Sequence, residues 1–238
     1  MTEAEFEKNC SDLWGDIEEA IAVFYTSEEI NDHALNDEAI LDAIQADALF
    51  WKVQVYALQT TLFIVLGRIF DMSSDAYSIH KLLRDTGQHF DLLFSHEALR
   101  VRKEKEKLNL HPKDLEDYFV GLWVPDRKVV GILNKALARH KDRFTADYLP
   151  LRSRYFAHNL LNDGTTIQNL FAKTNRKELE ETLLFAKEVV ALIQELYSNG
   201  RELKLGEIIH DRYREEIRSS AKSVLEKLAR EHRNSAVA

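Results

Sequence analysis

The chain has one cysteine, three prolines and eight glycines in 238 residues. A single cysteine, Cys10, excludes an intramolecular disulfide and fits a reducing compartment. So few prolines and glycines leave few turn signals. Leu, Ala, Glu, Lys and Arg fill the windows instead, and these are the strong helix formers. Long apolar runs are missing too. The most apolar, residues 62–66, is too short to span a bilayer and follows Gln59, Thr60 and Thr61. The N-terminus, Met-Thr-Glu-Ala-Glu, has neither the basic nor the apolar region of a signal peptide. The expectation is an all-α, cytoplasmic protein with no membrane partner.

An excess of positive charge is also lacking. A net charge of -8 argues against a general nucleic-acid coat, because non-specific affinity comes mainly from neutralising phosphates. The average hides a division: residues 1–50 carry 14 acids against one lysine, so the remainder is net positive by 5. Residues 126–154 hold eight Lys/Arg against three Asp. A local basic strip on an acidic chain suits contact with a few phosphates; equally, the acidic first helix can neutralise it within the fold.

Apolar periodicity places the elements. Leu13, Trp14, Ile17, Ala20, Ile21 and Phe24 mark a helix over 2–26. The polar stretch 31–36 predicts a break, with Asn36 or Asp37 capping a second helix over 38–71. That helix is apolar on most sides and belongs at a bundle centre, with Trp51, Tyr56, Phe63 and Phe70 as core rings. Shorter helices follow over 76–84, over 88–110 after Gly87, and from Pro112, and another is expected from Pro125. The charge run 100–107 reads as a solvated face. Thr145 is expected to cap a new helix with Pro150 in its first turn, and 163–175 to form a loop. Helices over 177–198, ended by Asn199-Gly200, and over 207–231 complete a single domain. Its parts are an acidic N-terminal helix (1–35), a bundle core (36–200) and an appended C-terminal helix (201–238).

The stretch that carries chemistry is Tyr148-Leu149-Pro150-Leu151-Arg152-Ser153-Arg154-Tyr155-Phe156-Ala157-His158-Asn159. It joins fixed cations to a side chain that titrates near neutral pH. The spacing alone is weak: an Arg followed by a His five to seven residues later is expected roughly twice by chance in this composition. It occurs as Arg84…His89 and Arg152…His158. The second has context, since it follows the basic strip and is flanked by the apolar anchors Leu151, Tyr155, Phe156 and Leu160. At an α-helical 100° per residue, Arg154 and not Arg152 shares a face with His158. Read as packing, His158 is simply a hydrogen-bonded interior histidine. His89 and His96 lack a tight third ligand, so no metal site and no cofactor is expected.

Arg152 to Asn159 resembles the R-[polar]-x(4–6)-H signature of HEPN domains, in particular their abortive-infection type U branch. Leu66-Gly67-Arg68-Ile69-Phe70-Asp71 with Ser78, Ile79, Leu82 and Leu83 is similar to the same branch, so the resemblance covers roughly residues 40–200. It implies an antiparallel helical bundle, a homodimer with facing Arg/His motifs, and a metal-independent endoribonuclease of toxin–antitoxin or phage-defence type. RNA and an antitoxin protein would be its partners. The resemblance implies catalysis by Arg152 and His158, with Ser153, Arg154 and Asn159 orienting groups or binding phosphate. Arg68 and Asp71 would support the site, or form a helix-end ion pair. Two positions depart from the pattern: the polar residue is Ser153, and Leu161 stands where some members carry a tyrosine. The competing expectation is a non-catalytic HEPN-like module for dimerisation, nucleotide binding or partner binding.

Overall fold

The structure is a computed structural model and describes residues 1–73, 76–105, 112–121, 123–157, 164–201, 204–206 and 212–237. Among the described residues it is all-α, without a strand. The helices are α1 (Glu3–Asn36), α2 (Glu38–Ala46), α3 (Ala48–Ile69), α4 (Ile79–Gln88), α5 (Phe90–Phe94), α6 (His96–Lys105), α7 (Pro112–Val120) and α8 (Lys128–Arg143). Two π-helical segments follow, π1 (Phe144–Tyr148) and π2 (Leu151–Ala157), then α9 (Gly164–Phe171), α10 (Arg176–Asn199) and α11 (Arg212–Val237).

The chain forms two compact units. The first comprises Met1–Asp16, Arg68–Ala146 and Leu184–Ile209. Phe6, Leu13, Ile79, Leu82, Leu83, Leu93, Leu133, Leu137 and Leu196 make its buried core, and Phe70 stacks on Phe144 at 5.3 Å. Burying such side chains stabilises by about 1.5–3 kcal/mol each.

The charge run expected to be solvated is a correction in this unit: Arg102 and Lys103 are 7% and 8% exposed. Arg102 donates to the carbonyls of Leu93 (2.6 Å) and Tyr197 (3.0 Å) and to Glu3 (2.5 Å). Its fork thus serves carbonyls in the last turns of α5 and α10, where helices run out of internal donors. Gly200, at φ 55°, ends α10 in the left-handed conformation that its Asn199-Gly200 signal predicts.

The second unit comprises Ile17–Gly67, Asp147–Leu183 and His210–Ala238. Ile17, Ile21, Tyr25, Leu66, Leu151, Leu179 and Leu183 form its core. The C-terminal helix α11 belongs to this unit. It packs on α2, burying Leu225 and Ala229 against Ile30 and Ile40, with Trp51, Val55 and Leu58 partly covered beside them. Val224, next to Leu225 in the chain, is 57% exposed. Of these two adjacent apolar residues, packing selects Leu225 for the interior.

Other boundaries differ from the sequence reading. α1 runs through 31–36, because the Asn36 side chain donates to the Asp32 carbonyl and Asp32 pairs with Arg176, which ties the polar turn down. Asp37 caps α2 by accepting from the amides of Ala39 and Ile40. The long second helix divides at Asp47. Gly87 lies inside α4, where a Cβ built on it would meet Val130 at an ordinary 3.5 Å, and α4 ends only at Gln88. The expected loop 163–175 contains α9, and α8 begins at Lys128 after an Asp126 side-chain cap on the Lys128 amide.

The start of α3 is not core either: Leu49, Phe50, Val53 and Tyr56 are 78%, 57%, 55% and 48% exposed. α3 as a whole is long and apolar enough to cross a membrane, by length and composition alone. The five-residue apolar run understated it, because Gln54, Gln59, Thr60 and Thr61 interrupt α3 without charge and Lys52 and Arg68 are its only charged residues.

Candidate functional site

The Arg152 segment is built from a helix that does not stop where its sequence suggests. α8 passes through π1, residues 149–150 and π2 as one helical run from 128 to 157. Thr145 caps no new helix; its hydroxyl bonds back to the Lys141 carbonyl at 2.9 Å. Pro150 therefore lies in a helix interior, where its missing N–H and its ring normally break an α-helix. Here i→i+5 turns flank it on both sides, and such widened turns recur at functional sites. In π2 the 100°-per-residue calculation no longer applies. The expectation that Arg154 shares a face with His158 concerns a residue outside the described ones.

π2 lies along α3 in the second unit. Phe63 stacks on Phe156 at 5.1 Å with 13° between planes, and Tyr56 meets Tyr155 and Phe156 at 6.4 and 6.1 Å. Phe171 of α9 closes on Tyr155 and Phe156 at 5.7 and 6.1 Å. Phe63 also meets Tyr148, whose hydroxyl donates to the Asn175 carbonyl at 3.5 Å. Each aromatic pair adds about 0.5–1.5 kcal/mol beyond its burial. The rings form a bed that holds Leu151 fully buried and presents the residues after it.

Arg152 crosses α3 at Gly67. A Cβ built on Gly67 would fall 2.8 Å from Nε, 3.2 Å from Cδ and 3.3 Å from Cγ of Arg152. The Nε atom is buried and finds no hydrogen-bond partner among the described residues, although Arg152 as a whole is only partly buried. An unmet buried donor costs about 1–3 kcal/mol, and glycine inside a helix costs about 0.5–1 kcal/mol relative to alanine. Gly67 was missed as a site residue. Its signal was present, since it stands within the Leu66-to-Asp71 motif, in the last turn of an otherwise good helix.

The other expected residues are placed as follows. Ser153 is partly buried and Arg154 exposed on π2. His158 and Asn159 lie outside the described residues, as does Leu161. In the first unit, Arg68 pairs with Asp16 at 2.8 Å, and the Asp71 carboxylate accepts from the Ser73 amide at 2.7 Å. His89 meets the N-terminal amine at 3.5 Å and His96 the Phe119 carbonyl at 3.2 Å. An apolar groove of about 720 Å³ in the second unit, between Ala22, Trp51, Leu58, Ile217 and Leu228, includes none of the expected site residues.

Charge is arranged around these helices in a definite way. Acids of α1 pair with Arg102 (Glu3), Arg68 (Asp16), Arg176 (Glu28 and Asp32) and Arg218 (Glu29), cations outside the 126–154 strip. Within the strip, Arg127 turns to Asp91 and Lys128 to Asp126. Near it, His80 is held down at about 4, chiefly by burial and then by the Lys141 charge. Burial, with Glu7 adding, pushes the Cys10 thiol up to about 12.

Among the described residues no group of three His, Cys, Asp or Glu could hold a metal ion. What the arrangement offers is a guanidinium stem clamped between two helices, with a second arginine exposed two residues on. Comparison with known proteins adds one finding. The model of the AbiU2 HEPN family matches residues 3–218, well beyond the two short segments. No curated protein and no solved structure matches. An all-α chain whose Arg152 rests on the glycine of its other signature segment, matched over nearly all its length, belongs to the AbiU2 family of HEPN domains.

Proposed function

We propose that this chain is an endoribonuclease of the abortive-infection or toxin–antitoxin type, acting as a homodimer without a metal ion. The observation that supports it best is Arg152 clamped on Gly67, which brings the two family segments to one place. Membership of the AbiU2 family supports an abortive-infection role.

In this reading the ribose 2′-hydroxyl attacks the adjacent phosphate, the P–O5′ bond breaks, and the products are a 2′,3′-cyclic phosphate end and a protonated 5′-hydroxyl. His158 moves protons, since an imidazole near its ordinary pKa serves as base and acid. Arg152 stabilises charge on the phosphorane oxygens, and Arg154 holds a flanking phosphate. Ser153 and Asn159 orient these groups. The cytoplasm, with its RNA and an antitoxin partner, is the proposed setting.

The test is incubation of single-stranded RNA with purified protein in EDTA. Cleavage by the wild type and none by His158→Ala supports the enzyme. Equal cleavage by both ends the catalytic reading, and nucleotide binding without turnover replaces it with a binding module.

A further inference from the structure

We propose that Gly67 is a positioning residue for Arg152: its missing side chain lets the arginine stem lie across α3 and so sets where the guanidinium points. The inference rests on the reading of Arg152 as the charge-stabilising residue.

Nothing in the backbone asks for glycine at this position. Gly67 lies two residues before the end of α3, whereas the glycines with positive φ are Gly200 and Gly206. Alanine is the better helix former there, so helix propensity alone would replace it. Other helical glycines act as internal controls. A Cβ on Gly15 or Gly131 would meet nothing within 4 Å, and one on Gly87 only Val130 at an ordinary 3.5 Å. At Gly67 three successive atoms of one side chain fill the space, with Nε closest at 2.8 Å.

The two helices have little freedom to part. Leu66 and Leu151, the neighbours of the contacting pair, are both fully buried. Phe63 and Phe156, four residues from Gly67 and Arg152 respectively, are stacked at 5.1 Å. A methyl at 67 is therefore met by the arginine and not by the backbone. The stem must leave α3, and the guanidinium moves with it. A displacement of about 1 Å of a charge-stabilising group can cost about 100-fold in rate.

The experiment is a double-mutant cycle on the full chain with Gly67→Ala, Arg152→Ala and the pair. Single-turnover RNA cleavage, binding of uncleavable 2′-O-methyl RNA and thermal stability are read for each. In the native background, Gly67→Ala is expected to slow cleavage by about tenfold or more, to change RNA binding less than about twofold, and to lower Tm. In the Arg152→Ala background the same substitution raises Tm, because only its helix propensity is left. A Gly67→Ala protein that does not fold, beside a double variant that does, also supports the clash. Equal Tm changes in both backgrounds, or full cleavage by Gly67→Ala while Arg152→Ala is dead, overturns the proposal and leaves the site reading intact. Native cleavage by Arg152→Ala overturns both.

Discussion

Arg102 places its guanidinium carbon 3.9 Å over the ring of Tyr197 while donating to the backbone carbonyl of that same residue. The tyrosine hydroxyl in turn donates to Glu7 at 2.8 Å. One buried cation thereby links the ends of α5 and α10 to the acidic start of α1. Arg102→Ala leaves two carbonyls and Glu3 without this donor, and should cost about 3–5 kcal/mol of unfolding free energy. Arg102→Lys should recover only part of it, because an ammonium lacks the planar fork. Urea denaturation of the three proteins checks both, and an unchanged midpoint for Arg102→Ala refutes the linkage.

Phe63 is the ring on which π2 rests, 5% exposed and stacked on Phe156. Phe63→Ala should destabilise by about 3–5 kcal/mol, and Phe63→Leu by clearly less, since it keeps most of the volume. Hydrogen exchange should quicken in residues 151–157 before it does in α10. Uniform quickening would show that the ring serves the general core instead.

His80 carries a pH dependence with a definite sign. Its folded value, about 4, lies below the usual 6.5 because burial disfavours the charged ring and Lys141 adds to this. The unfolded chain binds a proton between these values and the folded chain does not. Stability present above about pH 6.5 is therefore lost as pH falls toward 4 and changes no further below it. His80→Gln should flatten that segment of a stability-versus-pH curve relative to wild type. Superimposable curves would remove His80 from the account.

Under the proposed chemistry, Arg152→Ala and His158→Ala each lower RNA cleavage by about 100-fold or more. Arg154→Ala should mainly weaken RNA binding and reduce its salt dependence. DNA of the same sequence, lacking the attacking hydroxyl, should remain intact. Cleavage of DNA at the RNA rate would eliminate 2′-hydroxyl attack. Light scattering on the same proteins tests the homodimer; a monomer that cleaves at full rate removes the shared site.

Much of the fold is legible along the chain because helix signals are local. Strong helix formers, the Asp37 cap and the Asn199-Gly200 stop need only neighbours within a turn or two, and all three appear as expected. The Arg152 segment and the Leu66-to-Asp71 segment were also visible as two short motifs, and the family match joins them. Distance in space was not visible. That Gly67 lies beneath Arg152, 85 positions along the chain, depends on how α3 packs against π2. A solvated charge run and a buried arginine have the same local composition. Only the carbonyls of Leu93 and Tyr197 and the Glu3 carboxylate decide that Arg102 goes inside. Pro150 marks a helix start by propensity, and packing carries the helix through it in widened turns instead. Sequence determined the all-α class, the Asp37 cap, the Asn199-Gly200 stop and the family; tertiary structure decided which residues meet, because contact energies depend on side chains that no local window contains.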